Sequence, residues 1–163
     1  MKQTLRGLLF VLAVFCMAVT ACAPMAASAA SAEAFRTYSL ADVQKLVAEN
    51  KGKVVVLNFF ATWCPPCREE IPGLIRIRQD ISKDKLLLIG VSVDQDESAL
   101  RSYMAKMRFT YPVVKSGMDL VRATGVTSIP HLLVFDPKGE VVANQPGYVD
   151  EKTLRAFIQK IAE

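Results

Sequence analysis

Residues 57–73 read LNFFATWCPPCREEIPG, an apolar run that leads into two cysteines three positions apart, Cys64 and Cys67. The run is typical of a buried β-strand, and the residues after it have the character of a helix. If Cys64 caps that helix, unpaired N–H groups and the helix dipole stabilise its thiolate and lower its pKa. The stretch therefore predicts a strand–helix unit with a redox-active cysteine pair at the junction.

The two cysteines have different expected roles. Cys64, exposed at the helix terminus, is the predicted attacking thiol, and Cys67, one turn further and less exposed, resolves the mixed disulfide that Cys64 forms. Pro65 and Pro66 suit a first helical turn, where a missing N–H has no helical partner. They also withhold two donors from the thiolate, so we expect them to limit the decrease in the pKa of Cys64.

Two other uses of a Cys-x-x-Cys pair stay open. A zinc site needs four ligands, and His131 is the only histidine in the chain. A purely structural disulfide suits an exported protein, although so short a loop constrains the unfolded chain little. We favour the redox pair, with no bound metal and no cofactor beyond a Cys64–Cys67 disulfide.

Residues 1–21 are predicted to be a lipoprotein-type signal peptide. Lys2 and Arg6 precede an apolar run that is short for a membrane span, and Val19-Thr20-Ala21-Cys22 resembles a lipobox. Cleavage there would leave Cys22 as a lipid-modified N-terminus. Two alternatives are cleavage after Ala27-Ser28-Ala29, which would release a soluble periplasmic protein, and an uncleaved anchor. All three place the protein on the periplasmic side of a bacterial cell envelope.

The remainder is expected to form a flexible tether, residues 22–34, and one domain, residues 35–163. The tether is rich in small residues and has no periodic pattern, so it separates domain and membrane by roughly 20 Å. Cys16 lies within the signal, and only Cys64 and Cys67 therefore remain in the domain. An isolated pair in an oxidising compartment favours catalysis. The net charge of +4 falls to +2 without the two basic residues of the signal, which gives no indication of nucleic-acid binding.

Strand and helix patterns alternate along this domain. The expected strands are 53–61, 86–93 and a hairpin over 131–143, and the expected helices are 39–50, the cysteine-bearing helix to 81, 96–107, 118–124 and one that begins at 150. The prediction is an α/β fold with a central mixed sheet and helices on both of its faces.

Residues 57–73, the segment Gly125-Val126-Thr127-Ser128-Ile129-Pro130, the hairpin after it and Gly147 together resemble one group of proteins. This is the TlpA/ResA/DsbE-like group of exported bacterial thiol-disulfide oxidoreductases, which have a thioredoxin-like fold. The resemblance implies a cis bond between Ile129 and Pro130, and a client-binding groove formed by Trp63, Ile129 and Pro130. It also implies that the protein reduces protein disulfides with electrons from a membrane electron donor, and that apocytochrome c is among the clients. We expect a monomer.

Two positions depart from the family pattern. Asn58 stands where plain thioredoxins have a buried aspartate that accepts the proton of the resolving thiol, so another base is needed. Glu70 is three residues after Cys67 on the same helix face and is the predicted base; the alternative is a surface charge like Glu69. His131 replaces a common threonine and would tune the thiols if its ring faced them, whereas strand alternation leaves the opposite face open.

A different class of function uses the same residues. Cys64, Cys67 and His131 are soft or borderline ligands that could hold Cu(I), as in copper carriers of this fold. Such carriers more often have wider cysteine spacing and a distant histidine. The sequence therefore favours disulfide exchange, with copper carriage as the alternative.

Overall fold

The structure, a computed structural model, describes residues 34–162 as one six-stranded sheet with helices against both faces. The strands are β1 Thr37–Tyr38, β2 Val54–Phe60, β3 Leu86–Ser92, β4 Val113–Ser116, β5 His131–Phe135 and β6 Val141–Pro146. The helices are α1 Leu40–Glu49, α2 Pro65–Asp80, α3 Glu97–Met107, α4 Met118–Thr124 and α5 Glu151–Ile161. The predictions for the signal peptide, for Cys22 and for residues 22–33 of the tether lie outside the described residues.

β2 lies inside the sheet, whose strand order is β1-β4-β3-β2-β5-β6. It pairs in parallel with β3 and antiparallel with β5, so the sheet is mixed, as predicted. All seven residues of β2 are buried, because helices cover both faces and neighbouring strands cover both edges. The predicted fold class is confirmed.

Side chains of the sheet alternate between two packed layers, which we call the α1 face and the α2 face. The α1 face includes the buried residues Val43, Val47, Leu57, Phe59, Leu120 and Leu133. The α2 face continues from α2 and α5 to the cysteine pair and includes Val56, Phe60, Cys67, Ile71, Leu74, Leu132, Leu154 and Ile158. None of the helices within 34–162 combines the length and apolar character needed to cross a membrane.

The helix ends follow the predicted capping signals. Ser39 caps α1 and forms a reciprocal capping box with Asp42, and Asp150 caps α5 through the backbone N–H of Thr153. Two short strands, β1 and β4, were not predicted. β1 has only two residues, and it forms because the end of β4 pairs with it, at Lys115 and Ser116.

Gly90 lies in the middle of β3, directly beside Asn58 of β2, and its lack of a side chain leaves space on the α2 face. A Cβ atom at this position would lie 3.0 Å from Val113 Cγ2, 3.1 Å from Phe60 Cε1 and 3.3 Å from Tyr111 Cε2. These contacts are closer than side chains normally make in a packed core. The absence of a side chain at Gly90 therefore lets the Tyr111 ring pack against the sheet.

We expect Gly90→Val to lower the free energy of unfolding by about 1–3 kcal/mol, because the added atoms overpack this layer. Gly90→Ala should cost less, since alanine adds one atom and reduces the freedom of the unfolded chain. Urea unfolding of the three proteins measures the series. Equal midpoints for wild type and Gly90→Val would contradict the packing argument.

Candidate active site

The cysteine pair lies where β2 ends and α2 begins, and it is joined by a disulfide with a Cα–Cα distance of 5.3 Å. Cys64 is the N-cap residue of α2, and its sulfur accepts a hydrogen bond from the backbone N–H of Cys67 at 3.3 Å. Pro65 and Pro66 occupy the first turn. The helix-capping position expected for Cys64 is confirmed, together with the placement of both prolines.

Both sulfur-bearing residues are buried in this disulfide state. Cys64 is 3% exposed and Cys67 is 0% exposed, because Ala61, Ile71 and Leu100 pack around them. The exposed nucleophile that we expected at Cys64 is therefore not seen in the disulfide state. Trp63, next in the chain, is 66% exposed and presents a large apolar surface beside the pair.

The Ile129–Pro130 bond is cis, as the resemblance implied. Ile129 is partly buried and packs against both the α1 face and the buried residues around the cysteine pair. The carbonyl oxygen of Pro130 accepts a hydrogen bond of 2.9 Å from the N–H of Gly147, which has a φ of +85° that favours glycine. Together these contacts attach the segment before β5 to both the redox pair and the end of β6.

Glu70 and Asn58 form a buried pair on the α2 face. The Asn58 side-chain amide donates to Glu70 Oε2 at 2.8 Å, and the backbone N–H of Val149 donates to Oε1 at 3.0 Å. Glu70 is only 4% exposed, so the alternative of a surface charge like Glu69 is wrong. A single carboxylate thus joins α2, β2 and the loop before α5.

Burial raises the pKa of Glu70 to about 7, and the hydrogen bonds from Val149 and Asn58 only partly offset this effect. A carboxyl with that pKa can accept and release a proton at neutral pH. Tyr111 is a further buried group that the sequence did not indicate. Burial and the negative charge of Glu70 raise the pKa of Tyr111, which keeps it a neutral phenol.

His131 lies on the α1 face, not beside the thiols. It is directly opposite Phe59 in the β2–β5 register, and the two rings make an edge-on contact. The imidazole Nε2 is hydrogen-bonded to the side-chain oxygen of Asn144, and the side-chain NH₂ of Asn144 donates to the carbonyl of Thr124. Asn58, the neighbour of Phe59, points to Glu70 on the α2 face, so Phe59 and its partner His131 point to the α1 face. The predicted proximity of the His131 ring to the thiols is therefore not borne out by its contacts.

A second buried carboxylate, Asp94, was missed by sequence reasoning. It follows β3, is 3% exposed, and both of its oxygens accept hydrogen bonds from the backbone N–H of Thr62 at 3.1 Å. The Thr62 hydroxyl adds a bond of 2.7 Å to Oδ1, and the Ser92 hydroxyl adds one of 2.8 Å to Oδ2. The signal was present in principle, because Phe60 pairs with Ser92 and the same offset places Thr62 beside Asp94.

A family model described as thioredoxin-like matches residues 52–141, more than half of the 163 residues. The chain belongs to the thioredoxin-like family. A solved structure of a thiol:disulfide interchange protein, a thioredoxin family protein from Chlorobium tepidum TLS, is 30% identical with a TM-score of 0.66. That match covers 71% of this chain and 84% of the other.

Curated relatives also include thiol-disulfide oxidoreductases and thioredoxin-like proteins. Thiol-disulfide oxidoreductase ResA of Halalkalibacterium halodurans is 26% identical over 114 residues, which are 69% of this chain and 65% of that protein. The thioredoxin-like protein YneN of Bacillus subtilis is 29% identical over 130 residues, 78% of this chain and 74% of that protein. The chain thus spans about two thirds of the length of ResA.

The raised pKa of Glu70 predicts a characteristic pH dependence of stability. As pH rises from the ordinary value of 4.5 to about 7, the unfolded chain loses this proton while the folded protein keeps it. Stability therefore falls across this window, by on the order of 3 kcal/mol, and the full cost persists above it. We expect Glu70→Gln to remove this decline, because glutamine has no proton to lose.

Urea unfolding of the oxidised protein at a series of pH values measures the effect. Glu69→Gln is the matched control, since it changes the neighbouring exposed carboxylate and should follow wild type. Parallel pH profiles for Glu70→Gln and Glu69→Gln would contradict a neutral-range pKa at Glu70.

Proposed function

We propose that this chain is an exported thiol-disulfide oxidoreductase that reduces disulfides in client proteins. The observation that carries the proposal is the Cys64–Cys67 pair at the N-terminus of α2, with Cys64 as the capping residue. A helix N-terminus stabilises a thiolate, which is the attacking species in disulfide exchange. The names of the relatives, thiol-disulfide oxidoreductase and thiol:disulfide interchange protein, support disulfide exchange as the reaction.

The reaction proceeds in two exchanges. The Cys64 thiolate attacks one sulfur of a client disulfide, which forms a mixed disulfide and releases the other client sulfur as a thiolate. Cys67, once deprotonated, attacks Cys64, which forms the internal disulfide and releases the second client thiolate. Two electrons pass from this chain to the client. An external dithiol, which we assign to a membrane electron donor, then returns the pair to its reduced state.

Glu70 supplies the proton acceptor for the second exchange. It shares a buried helix face with Cys67, three residues away, and its pKa of about 7 suits proton transfer at neutral pH. Asn58 cannot take this role because an amide does not accept a proton at neutral pH, but it holds Glu70 in place through a hydrogen bond of 2.8 Å. Glu70 is thus the proposed base, and Asn58 its positioning partner.

Clients would dock over the exposed Trp63 and the segment of Ile129 and Pro130. Trp63 offers apolar surface next to the pair, and Ile129 packs against the buried residues around it. An extended client chain would pair through its main chain with the backbone of Ile129. Apocytochrome c remains a proposed client, and the protein a proposed monomer. The copper alternative rests on Cys64 and Cys67, with His131 as an optional third ligand. The contacts of His131 on the α1 face weigh against that third ligand.

The assigned roles predict an asymmetric trapping experiment. Cys67→Ser should accumulate a mixed disulfide through Cys64 when the reduced protein is mixed with insulin, because no resolving thiol remains. Cys64→Ser should accumulate little, since its remaining thiol is fully buried. Non-reducing gels after rapid alkylation measure the adducts, with the double variant as control. Equal trapping by the two single variants would show that the roles are wrongly assigned.

We further propose that the mature protein is attached to a membrane through lipidated Cys22. The lipobox-like Val19-Thr20-Ala21-Cys22 supports this, and Ala23 lacks the acidic side chain that favours retention in the inner membrane, so the outer membrane is the proposed location. The small-residue tether limits the protein to partners within its reach.

Labelled palmitate should enter the wild type when the full chain is expressed in a Gram-negative host, and should not enter Cys22→Ser, because only Cys22 is left at the mature N-terminus. Gel fluorography together with mass spectrometry of the N-terminus measures the modification. Cys16→Ser is the matched control and should label normally. An unlabelled protein that starts at Ala30 would instead establish cleavage after Ala27-Ser28-Ala29.

A further inference from the structure

A buried carboxylate holds the loop from which the redox pair is presented. Asp94 accepts hydrogen bonds from three donors: the Thr62 N–H, which contacts both carboxylate oxygens, the Thr62 hydroxyl and the Ser92 hydroxyl. The Thr62 N–H can only donate, and the Ser92 hydroxyl oxygen already accepts the N–H of Asp94, so its hydrogen is left to donate to the carboxylate. Bonds from such donors to a charged, buried acceptor are stronger than neutral ones. The loop that follows β2 is therefore fixed to the loop that follows β3.

This attachment lies two residues before the nucleophile. The N–H of Cys64 donates to the carbonyl of Ala61 at 3.2 Å, so Ala61 to Cys64 form a tight turn that contains Thr62. Behind the turn, the N–H of Val93 donates to the carbonyl of Phe60 at 3.0 Å. Asp94 thus holds the turn from the β3 side, and α2 continues from the other end of the turn.

The position of Cys64 matters because an internal disulfide depends on the effective concentration of its two thiols. That concentration is high only when the chain already holds both sulfurs in bonding geometry. Cys67 is fixed within α2, whereas Cys64 stands at the helix boundary and depends on the preceding turn. Loosening the turn therefore disfavours the disulfide relative to the dithiol.

We propose that Asp94 is a positioning residue that favours the disulfide state, by holding the Thr62 turn so that Cys64 stays beside Cys67. The inference rests on the proposed function, because a pair that strongly favours its disulfide is a good reductant. The negative charge of Asp94 acts in the same direction, since it disfavours a thiolate on the neighbouring turn. Both effects make the dithiol more ready to give up electrons.

The reduction potential tests this directly. In a glutathione series, the protein dithiol passes two electrons to oxidised glutathione, which forms the Cys64–Cys67 bond and two molecules of reduced glutathione. We expect Asp94→Asn to lower this equilibrium constant about ten-fold, a potential less negative by about 30 mV. Asp96→Asn is the matched control: it removes a helix-capping carboxylate two residues away that binds Ser98 and Ala99, and it should leave the potential unchanged.

Variants at Thr62 keep the test independent of how well Asp94→Asn folds. Thr62→Val loses the hydroxyl bond and retains the carboxylate, so it should shift the potential in the same direction by about half as much in logarithmic units, roughly three-fold. Thr62→Ser retains both donors and should match wild type. A merely structural brace would lower the free energy of unfolding of oxidised and reduced protein equally, and would leave the potential unmoved.

Two failures are distinguishable. If the wild-type pair does not equilibrate with glutathione or reduce insulin, the proposed function itself is wrong. If wild type is active but Asp94→Asn and Thr62→Val have its potential, only the role of Asp94 is overturned. A shift toward a more negative potential in either variant would also overturn it.

Discussion

Burial of β2 on both faces and both edges is the constraint on which the site depends. Its middle carries Asn58, the turn after its last residue, Phe60, leads to Cys64, and its antiparallel neighbour β5 begins directly after Pro130. Side chains alternate along a strand, so a shift of the β2 register by one residue would turn Asn58 to the α1 face, away from Glu70. The apolar residues that bury β2 therefore also fix the geometry of its polar ones.

Two buried carboxylates flank the redox pair, and their surroundings suit them to different tasks. Glu70 receives two hydrogen bonds, too few to offset its burial, and its pKa of about 7 suits the proton transfer proposed for it. Asp94 receives bonds on both oxygens from the Thr62 and Ser92 donors, which suits it to holding a loop. Glu70 thus has two donors and Asp94 has three, in keeping with the proton transfer proposed for the first and the positioning proposed for the second.

The sequence was sufficient where a local pattern decides the structure. Ser39, Asp150 and Cys64 stand at helix starts, and the apolar run before Cys64 is the buried strand. It was insufficient where register or tertiary pairing decides. The face of His131 depends on its pairing with Phe59, and β4 exists because β3 and β1 pair with it. Asp94 was hidden for the same reason, since its partner Thr62 lies 32 residues away.

Asn58 stands where plain thioredoxins have an aspartate, and its hydrogen bond with Glu70 gives a physical reason for the amide. Their side chains are 2.8 Å apart in a buried layer, where two carboxylates could not both ionise. An aspartate at position 58 would raise the pKa of one partner further and hold a proton between them. An amide instead donates to Glu70 and leaves one titratable group beside Cys67. The proposed proton acceptor on α2 is therefore best matched by a neutral donor in β2, which is what Asn58 provides.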